Sequence, residues 1–368
     1  MGSAAAFHLA QRGFRVLGLD RFAPPHLMGS SHGRTRIIRE AYFEGPAYVP
    51  MVQRAYRLWS ELESQSGTPL LLTTGGLMIG RPESAMVAGA RLSAATHGLQ
   101  HEVLSAAEVT RRFPCLNPRP DMIGIYEPRA GILFPEACLR AHLALARSHG
   151  AQLHTHEPLL SWRADGSGVS VTTERTTYRA DRLVIAAGPW AGELLADLRP
   201  PLTIERQLQF WFDPRRSRAS FAATRCPVHL WQLDDQQLFY GIPDLGDGVK
   251  VARHHRGISG PLEGLSREVD AREIADMRSL VRRFLPDADG AFRSAAVCLY
   301  TNTPDGHFWI DRHPAHANVL IASPCCGHGF KFASVVGEIL ADLAAQRPVA
   351  FDLAPFRSRW PMAAGDSQ

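Results

Sequence analysis

The apolar positions of this chain fall into two kinds of run. One kind is short and nearly continuous: Phe14-Arg15-Val16-Leu17-Gly18-Leu19-Asp20 ends in an acid, Ala180-Asp181-Arg182-Leu183-Val184-Ile185-Ala186-Ala187-Gly188 ends in a glycine, and Asn318-Val319-Leu320-Ile321-Ala322-Ser323 repeats the pattern ahead of Pro324-Cys325-Cys326-Gly327. Such runs predict parallel strands buried on both faces, with a ligand at their carboxyl ends. The other kind is strand-like and mixes polar with apolar residues, as in Gln209-Phe210-Trp211-Phe212 and Gln237-Leu238-Phe239-Tyr240-Gly241, with further short β-rich pieces between Leu70 and Arg140. Small, helix-favouring residues from Ser3 to Arg12 predict a helix stopped by Gly13, and an amphipathic repeat predicts another from about Phe330 to Ala345. The fold class that follows is α/β (α+β). A Rossmann-like nucleotide-binding domain is assembled from 1–70, 140–200 and 295–350, an antiparallel-sheet substrate domain is inserted as 71–139 and 201–294, and 351–368 is a tail that looks disordered after Pro361.

The N-terminal helix and the strand ending at Asp20 read as the second half of a βαβ unit. In such a unit the helix N-terminus faces a pyrophosphate and an acid about 20 residues on accepts from a ribose hydroxyl, roles that fit Gly2 and Asp20. The first strand and two earlier glycines are expected upstream, with the chain starting at an internal methionine. Read alone, the same residues also fit an ordinary helix–strand pair with a solvent-facing acid.

Composition narrows the partners. Forty basic against thirty-six acidic residues give a net charge of +4, and the arginines are scattered, which argues against nucleic acid and against a membrane surface. No apolar run approaches the roughly 20 residues that span a bilayer, so the cytoplasm is the default location. Six cysteines show neither metal spacing nor the density of a disulfide scaffold. Hydrophobic residues at 45% and charged residues at 21% suit a well-packed core large enough for two domains.

Longer motifs carry a resemblance. Phe22-Ala23-Pro24-Pro25-His26, Gly29-Ser30-Ser31-His32-Gly33-Arg34-Thr35-Arg36-Ile37-Ile38-Arg39, Ala41-Tyr42, Tyr48-Val49-Pro50, Ala296-Val297-Cys298-Leu299-Tyr300-Thr301 and Gly327-His328-Gly329-Phe330-Lys331-Phe332-Ala333-Ser334 resemble the monomeric sarcosine oxidase and N-methyltryptophan oxidase family of FAD enzymes. The resemblance spans nearly the whole chain. It implies an FAD-dependent oxidase, acting as a monomer, that demethylates an N-methyl amino acid with O2 and yields formaldehyde, the free amino acid and hydrogen peroxide. Sarcosine is the first substrate implied and N-methyltryptophan the second. The alternatives are a dehydrogenase that passes electrons to a carrier and a non-catalytic fragment.

Each candidate residue then has two readings. From residue type alone, Cys298 in its apolar strand is a small buried hydrophobe; the resemblance makes it the thioether link to the flavin 8α-methyl. Cys325 and Cys326 read as packing residues. Lys331, in the first turn of a helix whose dipole disfavours a cation there, suggests a ligand. The resemblance pairs it with Arg39 as a clamp on the substrate carboxylate and sets Arg36 against the flavin. If Thr35–Arg39 is helical, the two arginines share a face. Lys250 corresponds to a lysine that promotes oxygen reduction, His254 and His32 to pocket histidines, and Tyr240 and Tyr300 to pocket walls. Trp231 falls where sarcosine-specific members have a smaller side chain. Gly2, Asp20, Gly188, Trp190, Gly327 and Gly329 complete the expected cofactor site, together with Arg36, Cys298 and Lys331. No metal is expected.

Overall fold

The computed structural model describes residues 1–233, 237–255 and 257–358; the tail expected after Pro361 lies outside them. The first helix runs over Gly2–Gln11, and the chain turns at Gly13, whose φ of 85° is the left-handed value a helix stop requires. It lies between helices Pro135–Ser148 and Ala333–Ala344. A Cβ on Gly337 would sit 2.6 Å from Ala4, so that helix crossing closes only around a glycine.

The glycine- and acid-closed runs do form parallel strands. Leu17–Leu19 pairs with Gln152–His154, and Leu183–Ile185 pairs with Val319–Ser323, which also takes Trp309–Arg312 on its other side in antiparallel. Among the described residues these are separate ladders, of two and three strands. The carboxyl end of Leu183–Ile185 meets the start of the first helix: a Cβ on Gly2 would lie 3.8 Å from Ala186. The Met1 amino group is buried near Cys325, in the turn that follows Val319–Ser323.

Among the described residues the largest sheet has nine strands, drawn from Gly76–Glu127 and Thr203–Asn302. All its pairings are antiparallel except that of Gly76–Gly80 with Val228–Gln232. One boundary moves. Residues 295–302, expected in the nucleotide-binding segment, extend strand Phe292–Asn302, which pairs with Thr203–Phe212 along its length. A second small sheet joins Arg36–Ile38 and Leu71–Thr73 to the two edges of Gly131–Leu133.

The period of two along strands decides what the nine-stranded sheet presents on each face. Phe210, Phe212, Trp231, Phe239, Val249 and Val251 point to one side and form a core with Met277, Leu280, Val281 and Phe284 of helix Ala271–Phe284. Each such side chain contributes about 1.5–3 kcal/mol by burial. That helix starts in a capping box between Asp270 and Glu273. The opposite face carries Trp211 beside Lys250, Gln207 beside Cys298 and Glu205 beside Tyr300, with Tyr240 and His254 in the same alternation.

Candidate active site

A cleft opens over that polar face, with about 530 Å³ of empty space that includes its opening to solvent. Its lining includes Arg36, Arg39, Glu44, Tyr240, His254, Gly327, His328 and Lys331, with Phe43, Leu230 and Leu238 supplying apolar wall. The segment Thr35–Arg39, expected as a helix if its arginines were to share a face, is a strand over Arg36–Ile38. Three apart on a strand, Arg36 and Arg39 should face opposite ways. They reach the same cleft because the strand ends at Ile38 and the backbone turns at Glu40 and Ala41, where both amides donate to the buried Glu127 carboxylate at 2.6 and 2.8 Å.

Arg39 is buried and already holds a carboxylate. Its Nη2 donates to both oxygens of Glu44, at 2.9 and 2.7 Å, and its guanidinium lies over the rings of Tyr42 and Phe43, at 4.3 and 4.5 Å. Burial disfavours both charges, yet Glu44 raises the pKa of Arg39 and Arg39 lowers that of Glu44, so both remain charged. Glu44 was not anticipated from the sequence. Its only signal there is an acid five residues beyond Arg39 in Phe43-Glu44-Gly45.

Lys331 lies not in an α-helical turn but in a short 3-10 turn, Phe330–Phe332, that leads into helix Ala333–Ala344. Its Nζ donates to the His328 carbonyl at 2.8 Å and faces the Tyr42 hydroxyl at 3.4 Å. Burial and the neighbouring Arg39 push its pKa down to about 7. Gly327, with φ at 86°, brings the preceding turn against Tyr300 and His254, where a Cβ would sit 2.6 and 2.7 Å from their rings. Gly329 serves the turn itself, since a Cβ there would overlap the Pro324 carbonyl oxygen.

Cys298 is buried on the sheet floor with Arg36 Nη2 3.4 Å from its sulfur. Arg36 also donates to the carbonyls of Thr35 and Ser30, at 2.9 and 2.8 Å. Tyr300 Oη lies 3.1 Å from His254 Nδ1, and burial followed by His255 keeps His254 neutral well below its ordinary pKa. Lys250 stands one layer behind the cleft wall. Its Nζ donates to the Gly33 and Thr35 carbonyls and to Thr35 Oγ1, at 2.7, 3.0 and 3.2 Å, and burial followed by Arg36 lowers its pKa strongly.

Trp231 does not belong to this group. It is fully buried on the opposite face, stacked on Phe239 at 5.5 Å and donating to His229 Nδ1 at 2.7 Å. The period of two puts Leu230 on the cleft side instead.

The remaining predicted residues gather at the carboxyl ends of the parallel strands. Asp20 follows Leu17–Leu19 and accepts from the Phe22 amide at 2.8 Å. Gly188 opens the turn to Trp190, whose ring meets Phe22 at 5.5 Å and the Arg21 guanidinium at 5.3 Å. His32 is buried with both ring nitrogens lacking a hydrogen-bond partner, and Gln209 Oε1 on the sheet floor is likewise alone. Burial and Arg36 bring His32 down to about 4, so its imidazole is neutral at pH 7. A buried polar atom left unpaired costs about 1–3 kcal/mol. Such atoms beside Arg36 and Cys298, together with the helix start at Gly2 and the acid at Asp20, fit a flavin dinucleotide whose ring system meets polar atoms and whose phosphates meet a helix N-terminus. Among the described residues no cluster of three or more His, Cys, Asp or Glu is placed to hold a metal ion, and no helix is long and apolar enough to cross a membrane.

Parallel strands converging on a helix start, beside a buried cationic cleft on an antiparallel sheet, define a dinucleotide-dependent oxidoreductase. The chain belongs to the FAD dependent oxidoreductase (DAO) family, whose profile matches residues 1–343. It is 46% identical over 363 residues to the monomeric sarcosine oxidase of Streptomyces avermitilis, which covers 98% of this chain and 94% of that protein. It is 36% identical over 361 residues to the N-methyl-L-tryptophan oxidase of Salmonella agona, covering 97% and 95%. Among solved structures, the open form of NikD, an amino acid oxidase essential for nikkomycin biosynthesis, superposes with a TM-score of 0.83 at 25% identity, covering 96% and 94%.

Proposed function

We propose that the chain is a monomeric, cytoplasmic oxidase of N-methyl amino acids. It converts the substrate, O2 and water to the free amino acid, formaldehyde and hydrogen peroxide. The observation that carries this reading is the pair of buried cations, Arg39 and Lys331, at one cleft under an apolar wall. A carboxylate there gains two charge-assisted partners in a poorly solvated site, while its N-methyl end faces Tyr240 and His254. Bound FAD supplies hydride acceptance from the C–H bond next to nitrogen and electron delivery to O2. Neutral His254, bonded to Tyr300, adds no positive charge near the amine and so favours its unprotonated form. Incubation with sarcosine should yield equal amounts of formaldehyde and hydrogen peroxide; turnover only with an artificial acceptor would point to a dehydrogenase. N-methyltryptophan is the second substrate to test, because Phe43, Leu230 and Leu238 give the cleft an apolar wall and one relative carries that name.

Cys298 is the proposed covalent attachment point, supported by its burial on the sheet floor beside Arg36. Acid precipitation of flavin-loaded protein should give a yellow pellet, and Cys298→Ser a colourless one. A yellow mutant pellet would remove Cys298 from this role.

Lys331 predicts a pH dependence. Because its pKa is lowered to about 7, it is charged below that pH and neutral above it. Acetate, which has no amine to titrate, should therefore bind most tightly below pH 7 and progressively more weakly as pH rises through about 7. The loss is about 1.5–3 kcal/mol, the contribution of one hydrogen bond to a charged group. Affinity unchanged from pH 6 to 9 would take Lys331 out of the carboxylate site.

A further inference from the structure

Both cations of the cleft are built on one tyrosine. Arg39 lies over the Tyr42 ring at 4.3 Å, and Lys331 Nζ is 3.4 Å from the Tyr42 hydroxyl. That hydroxyl also lies 2.6 Å from His328 Nδ1 and 3.3 Å from the His328 carbonyl, and the other nitrogen of His328 lies 3.2 Å from the Gly306 carbonyl, a stronger acceptor than the Cys326 thiol 3.3 Å away. A carbonyl only accepts, so Nε2 carries the proton and Nδ1 is left as an acceptor. The Tyr42 proton is then committed to His328, and a lone pair of the tyrosine oxygen is left facing the ammonium. His328 stacks on Phe308 at 4.8 Å and meets Tyr48 edge-on at 5.5 Å, so the imidazole has no freedom to turn.

We infer that Tyr42 and His328 are positioning residues for carboxylate recognition: the tautomer of His328, set by Gly306, orients the Tyr42 hydroxyl so that it accepts from Lys331 and holds that side chain charged beside Arg39. This rests on the carboxylate-binding reading of the cleft. Without His328 Nδ1, the hydroxyl keeps only its longer contact to the His328 carbonyl, 3.3 Å, and can turn its proton toward Lys331, an interaction that only the neutral amine accepts. The polarity of the chain of hydrogen bonds, rather than its presence, is what favours the ammonium. Other groups act on Lys331 from the elements packed around it. Arg39 and Arg36 disfavour its charge, Glu44 and Cys326 favour it, and buried His254 and His328 stay neutral, His328 being pushed down to about 3 by burial foremost. None of these is altered by removing the Tyr42 oxygen.

The test is acetate affinity as a function of pH, measured by titration calorimetry on flavin-loaded protein. In wild type the affinity falls above about pH 7. In Tyr42→Phe and in His328→Ala the fall should begin at least half a pH unit lower, at least about a twofold loss of affinity at pH 7. In His328→Asn, whose amide oxygen accepts from the hydroxyl, the wild-type profile should return. A uniform loss of affinity with an unmoved profile, or a profile displaced to higher pH, would make the pair mere packing and overturn the inference. Absence of acetate binding in wild type would instead overturn the carboxylate-site reading itself. Nitrogen NMR of histidine-labelled wild type decides even if the variants do not fold: His328 protonated on Nδ1 at neutral pH would refute the orientation.

Discussion

Arg39→Ala is expected to lower the stability of the folded protein by about 3–5 kcal/mol and to abolish acetate binding. The stability loss follows from what remains behind. Glu44 is mostly buried against Arg39, its side chain 14% exposed and both carboxylate oxygens bonded to the guanidinium, and removing Arg39 strands that charge in a poorly solvated site. The sign of the pH dependence follows from the same pair. The pKa of Glu44 is depressed in the folded state, so its contribution is present above the ordinary carboxylate range and is lost as pH falls through the lowered value. The variant should therefore lose less stability on acidification than wild type. Urea unfolding at pH 7 and pH 4 measures both effects. Glu44→Gln is the matching change. It frees the guanidinium from its internal carboxylate, and acetate should bind more tightly; weaker binding would show that Glu44 supports the ligand rather than competing with it.

Lys250→Met is expected to slow the oxygen-dependent half of turnover by about 10²-fold or more while leaving the anaerobic, substrate-dependent half much less affected. That magnitude is typical of removing one preorganised electrostatic group. The first electron accepted by O2 creates an anion, and a fixed ammonium in a poorly solvated site lowers its energy. Three oxygens within 3.2 Å hold the Lys250 nitrogen in place, while burial and Arg36 oppose its charge. Because its pKa is lowered, the charged form gains as pH falls, and the oxygen-dependent rate in wild type should rise in that direction. Stopped-flow comparison of the two halves decides: equal losses would make Lys250 a structural or substrate-binding residue.

Much of this arrangement was legible in the chain. The runs ending at Asp20, Gly188 and Ser323 announce parallel strands by their continuous apolar character, although only Val319–Ser323 is buried throughout, while Leu17–Leu19 and Leu183–Ile185 stay partly exposed. Lys250, His254, Cys298 and Tyr300 each sit at the right parity of a strand, so one register brings them to one face. The same parity removed Trp231: residue type and motif position pointed to the cleft, but its neighbour Leu230 has that direction. The helical alternative for Thr35–Arg39 failed because pairing with Gly131–Leu133, distant in sequence, outweighs local preference. The extension of Phe292–Asn302 into the large sheet likewise depends on a partner strand some ninety residues earlier.

The sequence by itself determined which residues are chemically capable: a cysteine, two lysines, two arginines and two histidines in motifs too long to be accidental, and the periodicities that make strands around them. Only the tertiary structure decided the state those groups are in. Arg39 meets Glu44 because a turn pinned by Glu127 folds the chain back, Lys331 is shifted to about 7 because burial removes it from water beside Arg39, and His328 faces Tyr42 from 286 positions away along the chain. Desolvation and hydrogen-bond direction are properties of what surrounds a group from all sides, and no local pattern along the chain encodes them.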